Sequence, residues 1–140
     1  MTPWVVDASV AVKWFLPELH SEAANRVLTS KRELLAPDLI WAEVGNTLWK
    51  RFRRNEITLM EAEGILKDFM RFPLETYAAK ALLDAAWSFA SQLGISVYDA
   101  LYFALAAGRN CSLVTADRKL YDSSPKNSFG TKLIWIEDVA

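Results

Sequence analysis

The stretch Trp4-Val5-Val6-Asp7-Ala8-Ser9 decides how this chain folds. Three strand-forming residues without a polar break are typical of a strand covered on both faces, as in parallel sheets. A carboxylate at the end of such a strand points into the crevice where open α/β sheets bind their ligands. Ser9 then favours the start of a helix. We therefore expect Asp7 to be the fixed point of a site at the carboxyl edge of a sheet.

The composition indicates one globular domain spanning residues 1–140. A chain of 140 residues is long enough to bury a substantial core. With 16 Lys plus Arg and 17 Asp plus Glu, the formal charge of −1 neither indicates nor excludes a nucleic-acid partner. The single cysteine, Cys111, has no partner for an internal disulfide, and neither a signal peptide nor a membrane-spanning run is present. These features predict a cytoplasmic protein that has no contact with a membrane.

Short apolar strands alternate with helix-length segments along the whole chain. This order predicts an α/β fold in which a mostly parallel, twisted sheet of four to five short strands lies between two layers of helices. A polar loop is expected at about residues 122–130. The predicted strands are Trp4–Val6, Leu34–Ala36, Leu74–Thr76, Ser112–Thr115 and Lys132–Ile136.

Three further acids stand where this architecture would bring them to Asp7. Asp117 follows a second buried strand, as Asp7 follows the first. Asp99 lies in the first turn of a helix whose capping residue is Ser96. Glu43 lies among apolar residues on a helix built for burial, where an unpaired charge is costly. We expect all four carboxylates to face one crevice.

Four carboxylates in one crevice are the ligand set of a hard divalent cation. Mg²⁺ and Mn²⁺ take oxygen ligands, and such an ion removes the repulsion among ionised acids. It also polarises a phosphoryl oxygen and lowers the pKa of bound water, which phosphodiester cleavage requires. Ser9 and Thr115, each two residues from an acid, offer supporting hydroxyls. Asn46, one helical turn from Glu43, is placed to orient that glutamate.

Simpler interpretations stand beside these. Asp7, Asp99 and Asp117 are each also suited to capping a helix and nothing more. Lys13 and Arg118 are candidate contacts for a substrate phosphate, or else solvated surface cations. A receiver domain would need an early acidic pair, and a haloacid-dehalogenase-like phosphatase would need Asp-x-Asp. Ala8 and Ser9 follow Asp7 instead, which counts against both classes.

Four blocks of sequence together resemble the PIN-domain ribonucleases, and within them the VapC toxins of type II toxin–antitoxin systems. The resemblance covers nearly the whole chain, and it rests on the order and spacing of the blocks rather than on any one of them. The blocks are Val5-Val6-Asp7-Ala8-Ser9-Val10-Ala11-Val12-Lys13-Trp14, Ala42-Glu43-Val44-Gly45-Asn46, Ser96-Val97-Tyr98-Asp99-Ala100 and Leu113-Val114-Thr115-Ala116-Asp117.

The resemblance implies a PIN-like three-layer fold and an endoribonuclease that needs Mg²⁺ or Mn²⁺. Asp7, Glu43, Asp99 and Asp117 match the acid quartet of that family, and Ser9 and Thr115 also match. It further implies a homodimer and a VapB-like antitoxin that holds the enzyme inactive. A non-catalytic PIN-like module that binds RNA or protein is the alternative.

Overall fold

The central strand of the sheet is the one that precedes Asp7. In the computed structural model, which describes residues 1–128 and 130–139, strand β1 (Trp4–Val6) is buried along its whole length. It pairs in parallel with β2 (Leu34–Pro37) on one side and with β4 (Ser112–Thr115) on the other. An apolar run without alternation is what a strand covered on both faces requires.

Three outer strands complete the sheet. Strand β3 (Glu75–Tyr77) pairs in parallel with β2, and β6 (Thr131–Trp135) pairs in parallel with β4. The two-residue strand β5 (Asn127–Ser128) pairs antiparallel with β6. Among the residues that the structure describes, the strand order is therefore β3-β2-β1-β4-β6-β5, and the first five of these strands are parallel to one another. Asp7 and Asp117 follow adjacent strands and so leave the sheet at the same edge.

Helices fill the connections between the strands. The α-helices in the described part of the chain are α1 (Ala8–Ala11), α2 (Ser21–Leu28), α3 (Leu39–Arg53), α4 (Leu59–Met70), α5 (Ala79–Leu93), α6 (Val97–Gly108) and α7 (Arg118–Ser123), and Val12–Trp14 and Ile136–Asp138 are 3₁₀ turns. Within the described ranges, none of these helices has both the length and the apolar character needed to cross a membrane.

Helix α6 anchors the site to the sheet. Its residues from Ala100 to Ala106 are all buried, and it packs on β1, β2, β4 and β6 as well as on α5. Ser96 caps it, since the Ser96 hydroxyl accepts a hydrogen bond from the Asp99 amide at 3.1 Å. The position of Asp99 is thereby fixed relative to the strands that carry Asp7 and Asp117.

The predicted three-layer α/β/α fold is confirmed, and one local prediction is wrong. Residues 122–130 were expected to form a loop, but they contain the end of α7 and strand β5, while Phe129 lies outside the described residues. The segment turns back along β6, where the amide of Leu133 donates to the carbonyl of Lys126 at 2.8 Å. Its polar composition conceals this short antiparallel pairing.

Candidate active site

Asp7 is the most enclosed carboxylate of the site, with 7% of its surface exposed. The Ser9 hydroxyl donates to its Oδ1, and the Thr115 hydroxyl donates to its Oδ2 at 2.5 Å. Oδ1 also accepts from the amide of Val10 at 3.3 Å, so that Asp7 caps α1 as well. Capping and a role in the site are therefore compatible at this residue.

The same two hydroxyls connect Asp7 to the strand that carries Asp117. The Ser9 hydroxyl accepts from the amide of Ala116 at 3.0 Å, and the Thr115 hydroxyl accepts from the amide of Asp117 at 3.0 Å. Asp117 in turn caps α7, since its Oδ1 accepts from the amide of Leu120 at 3.1 Å. These bonds hold the ends of β1 and β4 in one rigid arrangement.

The other two acids, Asp99 and Glu43, are half-buried on helices. Burial raises the pKa of Asp99, and the charge of Asp117 raises it further. Burial likewise raises the pKa of Glu43, with a smaller contribution from the charge of Asp99. Burial raises the pKa of Asp7, and the charge of Asp117 makes a smaller contribution in the same direction. The structure thus brings the four predicted acids into one electrostatic environment, each coupled to at least one other.

Tyr102 holds Glu43 in place. The hydroxyl of this residue, which is only 2% exposed, donates to Glu43 Oε1 at 2.5 Å. Burial raises the Tyr102 pKa far above its ordinary value, and the charges of Glu43, Asp7 and Asp99 add to that effect. The phenol therefore stays protonated and remains a donor.

The sequence did not identify this bond, because helical spacing places Tyr102 among the apolar residues that face inward. Asn46, the residue expected to orient Glu43, is exposed and lines the same hollow of about 280 Å³ as Glu43 and Tyr98. Its supporting role stays a prediction.

The two candidate substrate cations are both engaged. Lys13 forms an ion pair with Glu18, with Nζ 2.8 Å from Oε1. The guanidinium of Arg118 pairs with Asp122 at 3.2 Å and lies 4.9 Å from the ring centroid of Trp135. Arg118 nevertheless leaves 62% of its side chain exposed, immediately after Asp117. A second cleft of about 420 Å³ is lined by Asp99, Asp117 and Lys119, among others.

The donor set suits Mg²⁺ or Mn²⁺ if water completes the coordination. Within residues 1–128 and 130–139, no three side chains of the Asp, Glu, His and Cys types approach closely enough to hold an ion together. Mg²⁺ commonly retains several waters and uses only one or two carboxylates. A buried Asp7 beside another acid is the kind of repulsive pair that a divalent cation neutralises. The residues present therefore fit such an ion.

In the metal-free protein, Asp7 is expected to make stability depend on pH. Burial raises its pKa from 3.8 to about 6, against the hydrogen bonds from Ser9, Thr115 and Val10. Because the pKa of Asp7 is higher in the folded protein, its contribution to the free energy of unfolding is fully present below about pH 4. That contribution is lost as the pH rises through 6. This rise corresponds to about 3 kcal/mol. Urea unfolding in chelator should show stability falling between pH 4 and pH 7.

Asp7→Asn tests this assignment directly. In chelator at pH 7.5 the variant should be more stable than the wild type by up to about 3 kcal/mol, because no charge is buried. Added Mg²⁺ should then stabilise the wild type more than the variant. Asp84→Asn, at an exposed position on α5, is the control. It should change neither the stability in chelator nor the stabilisation by added Mg²⁺. A less stable Asp7→Asn variant at both pH 5 and pH 7.5 would contradict the prediction.

Comparison with known proteins agrees with this fold. A family model described as PIN domain matches residues 4–124, which makes the chain a PIN domain. The chain is 37% identical over 123 residues to Ribonuclease VapC3 of Pyrobaculum aerophilum, covering 86% of this chain and 94% of that relative. It therefore belongs to the VapC family of PIN-domain proteins.

Two solved structures share the fold at lower identity. The crystal structure of PAE2754 from Pyrobaculum aerophilum superposes with a TM-score of 0.67 at 24% identity, covering 97% of this chain and 85% of that one. VapBC2 from Rickettsia felis, crystallised with a DNA fragment from its promoter, gives a TM-score of 0.64 at 16% identity and covers 96% and 98% of the two chains. The architecture is thus kept although most side chains differ.

Proposed function

We propose that this protein is a metal-dependent endoribonuclease and the toxin of a type II toxin–antitoxin pair, acting in the cytoplasm. The observation that carries the proposal is that Asp7, Glu43, Asp99 and Asp117, from four separate elements, are linked pairwise by electrostatics: besides burial, the charge of Asp117 acts on Asp7 and Asp99, and the charge of Asp99 acts on Glu43. A purely structural set of acids would be exposed or paired with cations, whereas burial raises the pKa of three of these four. Membership of a family whose curated relatives are named ribonucleases supports the same activity.

Each residue has a defined task in this mechanism. Asp7, Asp99 and Asp117 would hold Mg²⁺ or Mn²⁺, directly or through water, with Glu43 close by. The bound cation supplies charge neutralisation at the phosphate and a more acidic water. Glu43 accepts the proton of the attacking water, and Tyr102 keeps the Glu43 carboxylate aimed at it. Ser9 and Thr115 fix Asp7, and Asn46 lines the wall beside Glu43.

The substrate is expected to be single-stranded or loop RNA. Attack on phosphorus needs the backbone to enter the crevice in line with the attacking water, which an unpaired strand permits. The cleft beside Asp99 and Asp117 gives that strand a path. Arg118, largely exposed and held over Trp135, is placed to contact a phosphate. Lys13, four residues after Ser9, is placed as a second contact for a substrate phosphate.

A VapB-like antitoxin and a second copy of the chain are the proposed protein partners. The structural neighbour from Rickettsia felis is itself a VapBC assembly. Several large apolar side chains are exposed on the helices, and we propose that partners cover some of them. The most exposed among them are Met60 and Met70 on α4 and Trp87 on α5, at 84%, 66% and 68%.

The decisive experiment separates cleavage from binding. Purified protein is incubated with end-labelled single-stranded RNA in Mg²⁺, in Mn²⁺ and in chelator. We expect fragments with either ion, no fragments in chelator, and recovery when the ion is restored. Binding without fragments under every condition would favour the non-catalytic module.

A further inference from the structure

Next to the acids lies a cluster in which two cations share one carboxylate. Lys13 Nζ lies 2.8 Å from Glu18 Oε1, and the guanidinium of Arg51 donates to Glu18 Oε2. The three side chains are only 11%, 17% and 27% exposed for Lys13, Glu18 and Arg51. Burial alone would raise the pKa of Glu18, but the hydrogen bonds from both cations outweigh it and hold the pKa below its ordinary value. The cluster therefore carries a net charge of about +1.

The cluster borders a hollow that is also lined by Ser9, the hydrogen-bond partner of Asp7. The hollow, of about 280 Å³, is lined by Ser9 and Thr47 as well as by the three charged residues. Ser9 is the residue whose hydroxyl donates to Asp7. A group bound in this hollow would thus be separated from Asp7 by one side chain.

An ion pair that serves only stability does not explain the excess charge. One cation would neutralise Glu18, and the second leaves a positive charge in a partly enclosed space, where solvent screens it less than on the open surface. Donors also remain in excess. An ammonium has three N–H groups and a guanidinium has five, of which Glu18 occupies a minority. Charged donors held in place beside an open hollow are what an anion requires.

We propose that Lys13 and Arg51, held in position by Glu18, bind a backbone phosphate of the RNA strand adjacent to the phosphate that is cleaved. This inference rests on the proposed ribonuclease function and adds a second anchoring point to it. Glu18 aligns the two cations before RNA arrives, so that less side-chain freedom is lost on binding. The strand is then held at the hollow while the acids act on the neighbouring linkage.

The test measures RNA binding apart from cleavage. Lys13→Gln and Arg51→Gln are made in the Asp99→Asn background, and the affinity for a short single-stranded RNA is measured in Mg²⁺ by fluorescence anisotropy at several salt concentrations. Each variant should weaken binding about five- to tenfold and lower the salt slope by about 1, because one phosphate contact is lost.

The matched control is Arg32→Gln. Arg32 is also an engaged arginine, since its guanidinium donates to the carbonyl of Thr2 at 2.7 Å and lies over Trp4. It precedes β2 and therefore lies at the opposite edge of the sheet from the acids. Its replacement should leave both the affinity and the salt slope unchanged. Equal effects of Arg32→Gln and Arg51→Gln would overturn the proposal.

Glu18→Gln distinguishes a phosphate site from a structural ion cluster. The amide oxygen still accepts from one of the two cations, while the net charge of the hollow rises by one; this added charge outweighs the looser alignment of the other cation, so RNA should bind more tightly, about two- to fivefold. Unchanged RNA affinity in Glu18→Gln would favour a structural ion cluster and contradict the proposal. Unchanged affinity and salt slope in Lys13→Gln and Arg51→Gln overturn the subsite, provided that the unsubstituted enzyme cleaves RNA. Failure of that enzyme to cleave or bind RNA overturns the proposed function itself, and the subsite with it.

Discussion

Asp99→Asn is expected to lower Mg²⁺-dependent RNA cleavage by about a thousandfold or more, with the fold intact, which corresponds to about 4 kcal/mol of transition-state stabilisation. Asparagine keeps the shape of the side chain at the start of α6 but removes a charge that the cation needs. Burial and, to a smaller extent, the charge of Asp117 oppose ionisation of Asp99, so removing the Asp99 charge is not expected to destabilise the metal-free protein. Single-turnover cleavage at saturating Mg²⁺ gives the rate.

The control for this variant is Asp68→Asn. Asp68 is an exposed acid on helix α4, and its replacement alters the net charge of the protein by the same amount. It should cleave RNA at the wild-type rate. Wild-type activity in Asp99→Asn would remove Asp99 from the mechanism.

Tyr102→Phe is expected to lower kcat about 10- to 100-fold while KM changes less than threefold, because the lost bond frees Glu43 to leave its working position. The substitution keeps the buried ring, and thermal unfolding checks that the variant is folded. Tyr77→Phe is the matched control, since Tyr77 also donates to a glutamate, Glu75, at 2.8 Å, but at the edge strand β3. It should not alter kcat.

A double-mutant cycle shows whether Tyr102 acts through Glu43. In a Glu43→Gln enzyme, which is itself slow, adding Tyr102→Phe should lower kcat little further, since the group that Tyr102 positions is already absent. Independent, multiplicative losses would mean that the tyrosine has a general structural role. The cycle is thus informative even if Tyr102→Phe is somewhat less stable than the wild type.

The parts of the fold that could be predicted from the sequence are those set by local pattern. Buried strands appear in the sequence as unbroken apolar runs. Asp7 and Asp117 could be identified as site residues because each follows such a strand. The place of Asp99 in the first turn of a helix could be predicted from the capping residue Ser96. Glu43 stands out because a charge is costly on a helix that otherwise faces the core. Each of these signals lies within a few residues of the position that it identifies.

The features of the site that escaped prediction depend on side-chain contacts that only the folded chain brings together. Tyr102 meets Glu43 across 59 residues, and its spacing is that of any core aromatic. Glu18, in the loop after the first 3₁₀ turn, pairs with both Lys13 and Arg51, so that Lys13, for which a phosphate contact and a solvated position were the two interpretations, is paired with a carboxylate. Hydrogen bonds and ion pairs of this kind leave no periodicity in the sequence, because only the packing of the helices decides them.

The neighbours of β1 have a consequence for how the protein is made. Asp7 leaves the ribosome well before the residue that holds it, because the Thr115 hydroxyl belongs to β4, 108 residues further along the chain. Synthesis must therefore pass β4 before this hydrogen bond can form. The final environment of the Asp7 carboxylate is thus a late product of folding.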